Sequence, residues 1–291
     1  MRHHSGFSLP ELLISLAVGA LAITGTLSAF AAGRAALQQE QSVNRLQERA
    51  LYVLSVLEPE LQLAGGYGLT VADRISTAAV GNSASGCGAG LVQDLAVAVG
   101  VSHNRWPLTC AAAGGGWVAG TDVLIVRRGA IAATTPDAGR LQLLTSTATP
   151  AVSTLLANGT LPTGTVLLPG HTELHDLLVR CYYIARRADG SNSALPALRV
   201  KSLTRYAGSP AFIDTEVLPG VSSLQVLLGY QPADGAALQF VRGTALPVGE
   251  HPLAVQLQLQ LTGSRSEVGT TAADNTLQLT RSITLRNAAR T

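Results

Sequence analysis

The stretch that decides the fold is Gly6-Phe7-Ser8-Leu9-Pro10-Glu11-Leu12-Leu13-Ile14, where a short basic leader meets a long apolar run. From Leu12 to Gly33 the sequence contains no charged residue. As an α-helix these roughly 22 residues extend about 33 Å, which is enough to cross the hydrocarbon core of a bilayer. The run is too long for the apolar region of an ordinary secretory signal, and no clear A-x-A cleavage site follows it. It therefore predicts a transmembrane helix.

Glu11 is the residue of this helix that needs a partner. An acidic side chain costs about 2.5–3.5 kcal/mol at the bilayer centre and less near an interface. One partner is the helix itself, because an anion in the first turn is favourable against the exposed N–H groups. Pro10 is compatible with a helix start here, since the first four N–H groups have no partner within the helix.

The stretch from Gly6 to Ile14 resembles the class III signal of type IV pilins and pseudopilins: glycine, then phenylalanine, then glutamate four residues later, then an apolar run. The resemblance implies that a prepilin peptidase cuts between Gly6 and Phe7 and methylates the new amine of Phe7. Glycine suits the cut because it has no side chain to obstruct the protease. The resemblance also implies a second partner for Glu11, the N-terminal amine of a neighbouring subunit in a fibre.

Three later segments are similar to PilW-type minor pilins. They are Leu63-Ala64-Gly65-Gly66-Tyr67-Gly68, Cys181-Tyr182-Tyr183-Ile184-Ala185-Arg186 and the ending Ser282-Ile283-Thr284-Leu285-Arg286-Asn287. Leu69 stands where that family often has a cysteine, so no disulfide pattern is carried over. A J-type minor pseudopilin of a type II secretion system shares the leader, helix and β-rich head, and it stays the alternative. A membrane-anchored periplasmic enzyme is a more distant one.

The resemblance also implies partners and a location. The expected partners are other major and minor pilins, the prepilin peptidase, the inner-membrane assembly platform and the lipid of the inner membrane. The basic leader, residues 1–6, favours a cytoplasmic N-terminus, although Arg34 beyond the apolar run reduces the charge difference. We expect a single-pass inner-membrane protein with a periplasmic head that can enter an extracellular pilus.

The helix is predicted to continue beyond the membrane, because apolar residues repeat at alternating spacings of three and four. These residues are Val43, Leu46, Ala50, Leu54, Leu57 and Leu61, with Arg45, Gln47, Glu48 and Glu58 on the other side. Pro59 can kink the last turns, and Gly65-Gly66 supplies a C-terminal stop. The predicted organisation is a leader over 1–6, a helix over 7–64 (transmembrane 7–33, amphipathic 34–64) and a globular head over 65–291.

The head is predicted to be mainly antiparallel β-sheet, which makes the fold class α+β. The resemblance implies a pilin-like arrangement, with the long N-terminal helix packed on that sheet. The clearest predicted strands are Thr121–Arg128, Leu178–Arg186, Leu198–Tyr206, Leu224–Gln231, Pro252–Thr262 and Thr276–Arg286. The alternation of valine and leucine with glutamine from Val255 to Leu261 predicts a strand with one buried and one wet face. Turn residues from Ala188 to Asn192 predict a hairpin with a longer loop.

The three cysteines lack the C-x-x-C spacing of zinc knuckles and redox pairs. Cys87 and Cys110 lie in one Gly/Ala/Ser-rich region, where a disulfide closing roughly 20 residues contributes about 3 kcal/mol in the chain-entropy model. We expect these two to pair and Cys181 to be a buried free thiol. The other two pairings stay open, because sequence cannot rank their geometry.

We expect no catalytic site, metal site or cofactor. His171, Glu173 and His175 lie in the wrong order for a zincin and are interpreted as a polar loop, and Gly86–Gly90 lacks the ending of a phosphate loop. Ser102, His103 and Asp94 are the residue types of a catalytic triad, but a triad also requires their side chains to be within hydrogen-bond reach, and the sequence gives no indication of that. The net charge of +2 is spread without a basic cluster, so no specific nucleic-acid site is expected.

Overall fold

The computed structural model describes residues 8–78, 80, 86–88, 90–148, 153–186, 195–232, 235–243, 246–247, 249–263 and 276–287. Over these residues one long N-terminal helix is followed by a head built mainly from antiparallel sheet. The predicted α+β fold class is therefore confirmed.

Helix α1 spans Leu9–Leu63 and contains 55 residues. At ~1.5 Å per residue it is about 80 Å long, far longer than a bilayer is thick, so a large part lies outside any membrane that it crosses. Ser8 is the N-cap residue, Ala64 is the C-cap residue, and the helix continues through Pro59.

The head contains strands of 2 to 14 residues. In the described residues they are β1 Ile75–Ser76, β2 Val99–Ser102, β3 Val123–Gly129, β4 Gln142–Ser146, β5 Ser153–Leu156, β6 Thr172–Ala185, β7 Ala197–Tyr206, β8 Ser209–Pro219, β9 Val221–Tyr230, β10 Gln239–Arg242, β11 Ala254–Thr262 and β12 Thr276–Thr284. A 3-10 turn, Ala72–Arg74, and a short helix α2, Gly90–Gln93, lie between the first two strands.

The strands form two sheets. The larger has the order β1-β5-β4-β6-β3-β2, with β7 also paired to β6 and β8 paired to β7; the smaller has the order β10-β9-β11-β12. Among the described pairs, β1 with β5 is parallel and the others are antiparallel. Asp122, just before β3, joins the sheets: its N–H donates to Leu224 O at 2.8 Å and its Oδ2 accepts from Val226 N at 2.9 Å.

Strand β6 corrects the sequence prediction at its start. It begins at Thr172 rather than Leu178, so the segment around Glu173 and His175 is not a polar loop. The polar side chains are accommodated in the strand because they have hydrogen-bond partners: His175 bonds to the carbonyl of Ala130 at 2.9 Å and to Glu173 at 3.1 Å. Six of the strands, β1, β2, β4, β5, β8 and β10, were not among those predicted.

Strands β6 and β7 pair antiparallel, with Ile184 opposite Leu198, as the hairpin prediction requires. The predicted turn at Ala188–Asn192 lies outside the described residues. In β11 the leucines are buried and the glutamines Gln256, Gln258 and Gln260 are more exposed, so the predicted alternation is confirmed.

The second half of α1 packs on the smaller sheet and completes the largest core cluster. Leu46, Leu57 and Leu61 are buried there with residues of β9, β11 and β12. The prediction that Val43 belongs to the buried stripe is wrong: Val43 is 39% exposed, and Ser42 is buried instead. Burial of Ser42 leaves its hydroxyl satisfied, because Oγ donates to Gln39 O at 2.7 Å.

Candidate functional site

The first half of α1 is apolar and uncovered. It holds an 18-residue window with a mean hydropathy of 2.0, none of which is buried. Among the described residues, α1 is the one helix long and apolar enough to cross a membrane. Exposed apolar surface of this extent is unfavourable in water and needs lipid or other helices around it.

Glu11 lies in the first turn of this apolar half. Its Oε2 is 3.5 Å from both the backbone nitrogen and Oγ of Ser8, and its own N–H donates to Ser8 O at 3.0 Å. The two side-chain distances are at the long limit for a hydrogen bond, so this capping box is weak. The carboxylate is directed towards the start of the helix. Gly6 and Phe7, the predicted cleavage and methylation residues, lie outside the described residues.

The apolar half carries small residues with free space beside them. A Cβ added at Gly19, Gly25 or Gly33 would meet no described atom within 4 Å. Packing within the chain therefore does not require these glycines, whereas close approach of another helix would. At the end of the apolar run the guanidinium carbon of Arg34 lies 4.9 Å from the centre of the Phe30 ring, an arrangement suited to a membrane interface.

The second half of α1 is tied to the head by a buried carboxylate. Glu60 is 7% exposed and accepts two hydrogen bonds from Arg128, at 2.8 Å from Nη2 and 3.1 Å from Nε. Arg180 on β6 forms a further ion pair with the same carboxylate. Sequence analysis did not single out Glu60, because both arginines are distant in the chain and a helical glutamate is usually exposed.

The end of α1 is fixed by backbone contacts. Gly65 N donates to Arg127 O at 3.0 Å, and Gly129 N donates to Gly66 O at 2.7 Å. Asn287 Nδ2 lies 3.2 Å from Ala64 O and 3.4 Å from Leu63 O, so it satisfies carbonyls that the helix leaves unpaired. Gly65 has φ of +75°, which favours glycine at this position.

This helix–head junction brings the three later resemblance segments together. The segment from Leu63 to Gly68 begins at the last residue of α1, and Asn287 of the final segment bonds to the carbonyls of Leu63 and Ala64 at that helix end. Tyr182 and Ile184 of β6 lie in the core cluster that α1 completes. The patterns quoted from distant parts of the sequence are thus parts of one structural unit.

Cys87 and Cys110 are joined by a disulfide, and Cys181 is a buried free thiol. Trp106 Nε1 donates to Cys110 O at 2.9 Å, and the Trp106 ring packs edge-on against Tyr183. The bridge therefore holds the segment before β3 against β6. Burial raises the pKa of Cys181 to about 12, which keeps the thiol protonated and unreactive at physiological pH.

The side chains of Ser102 and His103, two of the candidate catalytic residues, are hydrogen-bonded to groups outside the candidate triad. His103 Nδ1 bonds to Asp122 at 2.7 Å rather than to Asp94, and its Nε2 faces Arg242 Nη1 at 2.6 Å. Ser102 Oγ donates to Arg105 O at 2.9 Å. The structure therefore does not bring Ser102, His103 and Asp94 together as a triad.

Two side chains of the candidate metal site, Glu173 and His175, are also engaged in hydrogen bonds. Glu173 accepts a hydrogen bond from Gly170 N at 2.6 Å, and this bond is the main reason that the pKa of Glu173 is lowered. His171 is exposed just before β6, and both nitrogens of His175 already face oxygen atoms. No group of three or more metal-binding side chains occurs in the part of the chain that the structure describes.

Comparison with known protein families identifies the start of the chain. Residues 1–27 match the family model of the prokaryotic N-terminal methylation motif. No curated protein and no solved structure matches the chain. The match covers the leader, the predicted cut, Glu11 and most of the apolar run, and it confirms the class III signal. With the exposed apolar helix, it supports a type IV pilin-like or pseudopilin protein that is anchored in a membrane through its N-terminus.

Proposed function

We propose that the chain is a minor pilin of the PilW type, which acts in type IV pilus assembly by packing against other subunits. The observation that carries the proposal is the class III motif on a helix whose first half buries nothing within the chain. The second half holds the head. The first half of the helix is therefore available to the membrane or to other subunits of a fibre, and the second half packs against the head.

The processing step follows from the motif. The prepilin peptidase cleaves between Gly6 and Phe7, and the amine of Phe7 is methylated. Ser8 is then the second residue of the mature chain, so the new amine and the carboxylate of Glu11 lie at the same helix end. Because the bonds from Ser8 are 3.5 Å long, the carboxylate can exchange them for a shorter, charge-assisted bond to a neighbouring subunit's amine.

The assignment to minor pilins is supported by the junction and the head. Two of the PilW-like segments are in contact where the helix joins the head, through Asn287 and the carbonyls of Leu63 and Ala64. Tyr182 and Ile184 of the third segment lie in the core cluster that α1 completes. The head over 65–291 is large for a subunit that must repeat along a fibre. We infer contacts with major and minor pilins and with the inner-membrane assembly platform.

We place the head in the periplasm and the N-terminus in the cytoplasm. The Cys87–Cys110 disulfide is suited to an oxidising compartment, and the leader is basic. The function is binding rather than catalysis, and no cofactor is invoked, because the candidate catalytic side chains are used in structural bonds.

Deletion of the gene tests the proposal. A minor pilin predicts fewer surface pili, with recovery by the wild-type chain and no recovery by a Gly6→Leu variant that cannot be processed. Retained pili with loss of a secreted protein would instead assign the chain to a type II secretion system, as a J-type pseudopilin. Normal pili and normal secretion would contradict both assignments.

A further inference from the structure

The Glu60 cluster consists of Glu60 on α1, Arg128 on β3 and Arg180 on β6. The buried residues of α1 include one charged side chain, Glu60, among the described positions. Its two bonds from Arg128 form a bidentate pair, and Arg128 is itself 8% exposed. Apolar contacts are non-directional, whereas a bidentate arginine–carboxylate pair is formed in one orientation.

The position of the cluster makes it sensitive to rotation of α1. Glu60 lies one turn before the helix end, and its carboxylate pairs with two arginines of the larger sheet. The leucines on the same half of α1 pack in a core cluster that contains residues of both sheets. Turning α1 about its axis would move the carboxylate away from both arginines at once. The apolar stripe alone could repack more easily, since cores tolerate rearrangement at constant volume.

We propose that the Glu60 cluster is a latch that fixes the rotation of α1 relative to the head and so determines which face of α1 remains open. Leu51 lies nine residues before Glu60, and ~100° per residue places it about 180° around the helix from that carboxylate. Leu51 is 66% exposed, although it is a large apolar residue. The latch therefore keeps Leu51 on the outward face. The latch does not depend on the proposed function, but the identity of a subunit that meets this face does.

A buried ion cluster is not expected to add much stability over apolar residues of similar size, because desolvation offsets the attraction. Loss of one partner, in contrast, leaves a buried charge unpaired. Replacing the whole cluster by apolar residues therefore tests whether the cluster orients α1, separately from whether it stabilises the fold. The test therefore needs one variant that removes a single charged partner and one variant that replaces all three charged residues by apolar ones.

The test measures the distance between spin labels on the purified full-length chain in detergent. The labels are attached to Ser55→Cys on α1 and Ser209→Cys at the start of β8, both exposed. The native cysteines do not interfere, because two are bridged and Cys181 is buried. The variants are Glu60→Gln and the triple Glu60→Met, Arg128→Met, Arg180→Met. The matched control is Glu58→Gln, which removes a partly exposed ion pair to Arg281.

The latch predicts one narrow distance distribution for the parent and for Glu58→Gln. It predicts a broadened or shifted distribution for Glu60→Gln and for the triple variant, even where the triple variant unfolds at the same urea concentration as the parent. A parent-like distribution in the triple variant would overturn the proposal. A triple variant that does not fold would also overturn it, because the cluster would then be needed for the fold rather than for orientation. Neither result bears on whether the chain is a pilin.

Discussion

The two halves of α1 belong to one continuous helix but meet different surroundings. The window of its first half that could cross a membrane has no buried residue, whereas the second half buries eight between Ser42 and Leu61. The first half is apolar around its circumference, and the second is apolar along one stripe. The comparison shows that the sequence specifies two interfaces on one helix: lipid or other helices around the first, the chain's own sheets along one side of the second.

Each half contains one carboxylate that matters, and the two are held differently. Glu11 has long, weak contacts with Ser8, three residues earlier in the chain. Glu60 has short contacts with two arginines of the head. The Glu11 carboxylate can therefore change its hydrogen-bond partner on assembly, whereas the Glu60 carboxylate is already paired within the folded chain.

The largest expected effect is on processing of the first half. Gly6→Leu should leave the full precursor in the membrane, because a branched side chain obstructs approach of the protease to the backbone. Immunoblotting of membrane fractions measures the mass shift. Ser5→Ala, one residue earlier in the leader, is the control and should be processed normally. Normal processing of Gly6→Leu would count against the class III signal.

Replacement of Glu11 should separate processing from assembly. Glu11→Ala should be cut normally, but its incorporation into sheared fibres should fall roughly tenfold to hundredfold, since a charged hydrogen bond contributes about 1.5–3 kcal/mol. Quantitative blotting of fibre and membrane fractions measures the ratio. Glu40→Ala, an exposed glutamate farther along α1, should incorporate like the parent. Equal incorporation of both variants would refute the pairing with an amine.

Truncation of leucines in the second half should show which side of α1 packs. Leu57→Ala should lower the free energy of unfolding by about 2–5 kcal/mol, because Leu57 is fully buried. Leu51→Ala, on the open side, should change it by no more than about 0.5 kcal/mol. Urea titration of the full chain in detergent, followed by fluorescence of Trp106 and Trp117, measures both. Similar losses for the two variants would contradict the one-sided packing.

The smallest expected effect is a pH dependence at the core that α1 shares with β6. Burial, and secondarily the charge of Glu60, raises the pKa of Tyr182 to about 12. The folded chain then retains a proton that the unfolded chain releases near pH ~10, so this contribution to stability is present below about pH 10 and is lost as the pH rises towards about 12. Tyr182→Phe should make the decline of the free energy of unfolding at alkaline pH less steep.

The control for this titration is Tyr206→Phe, because Tyr206 is 63% exposed. It should leave the alkaline decline as in the parent. A decline that is equally steep in Tyr182→Phe would show that the buried phenol does not contribute. Urea midpoints between pH 9 and pH 11 provide the measurement.

Local patterns in the sequence were sufficient for the helix and for several strands. The charge-free run predicts the exposed half of α1, and the leucine and glutamine alternation predicts β11. These signals work because each depends on residues adjacent in the chain. Strand β8 was not predicted: its inward and outward positions have similar exposure, and it carries Pro210 and Pro219 at its ends.

Features that depend on distant partners were not predictable. Glu60 and Arg128 are 68 residues apart, so nothing near Glu60 indicates that its carboxylate is buried. The start of β6 was misinterpreted for a similar reason, since the acceptor for His175 is the carbonyl of Ala130, 45 residues earlier. Val43 was expected in the core because it continues the three- and four-residue spacing of the apolar stripe, but Ser42 is the buried residue instead.

The most direct test of the central claim is the intact mass and N-terminal sequence of the membrane-extracted chain, with and without the cell's prepilin peptidase. The pilin-like assignment predicts a mature chain that begins at methylated Phe7 only when the peptidase is present. An unprocessed chain beginning at Met1 in both cells, or a cut beyond the apolar run, would contradict it.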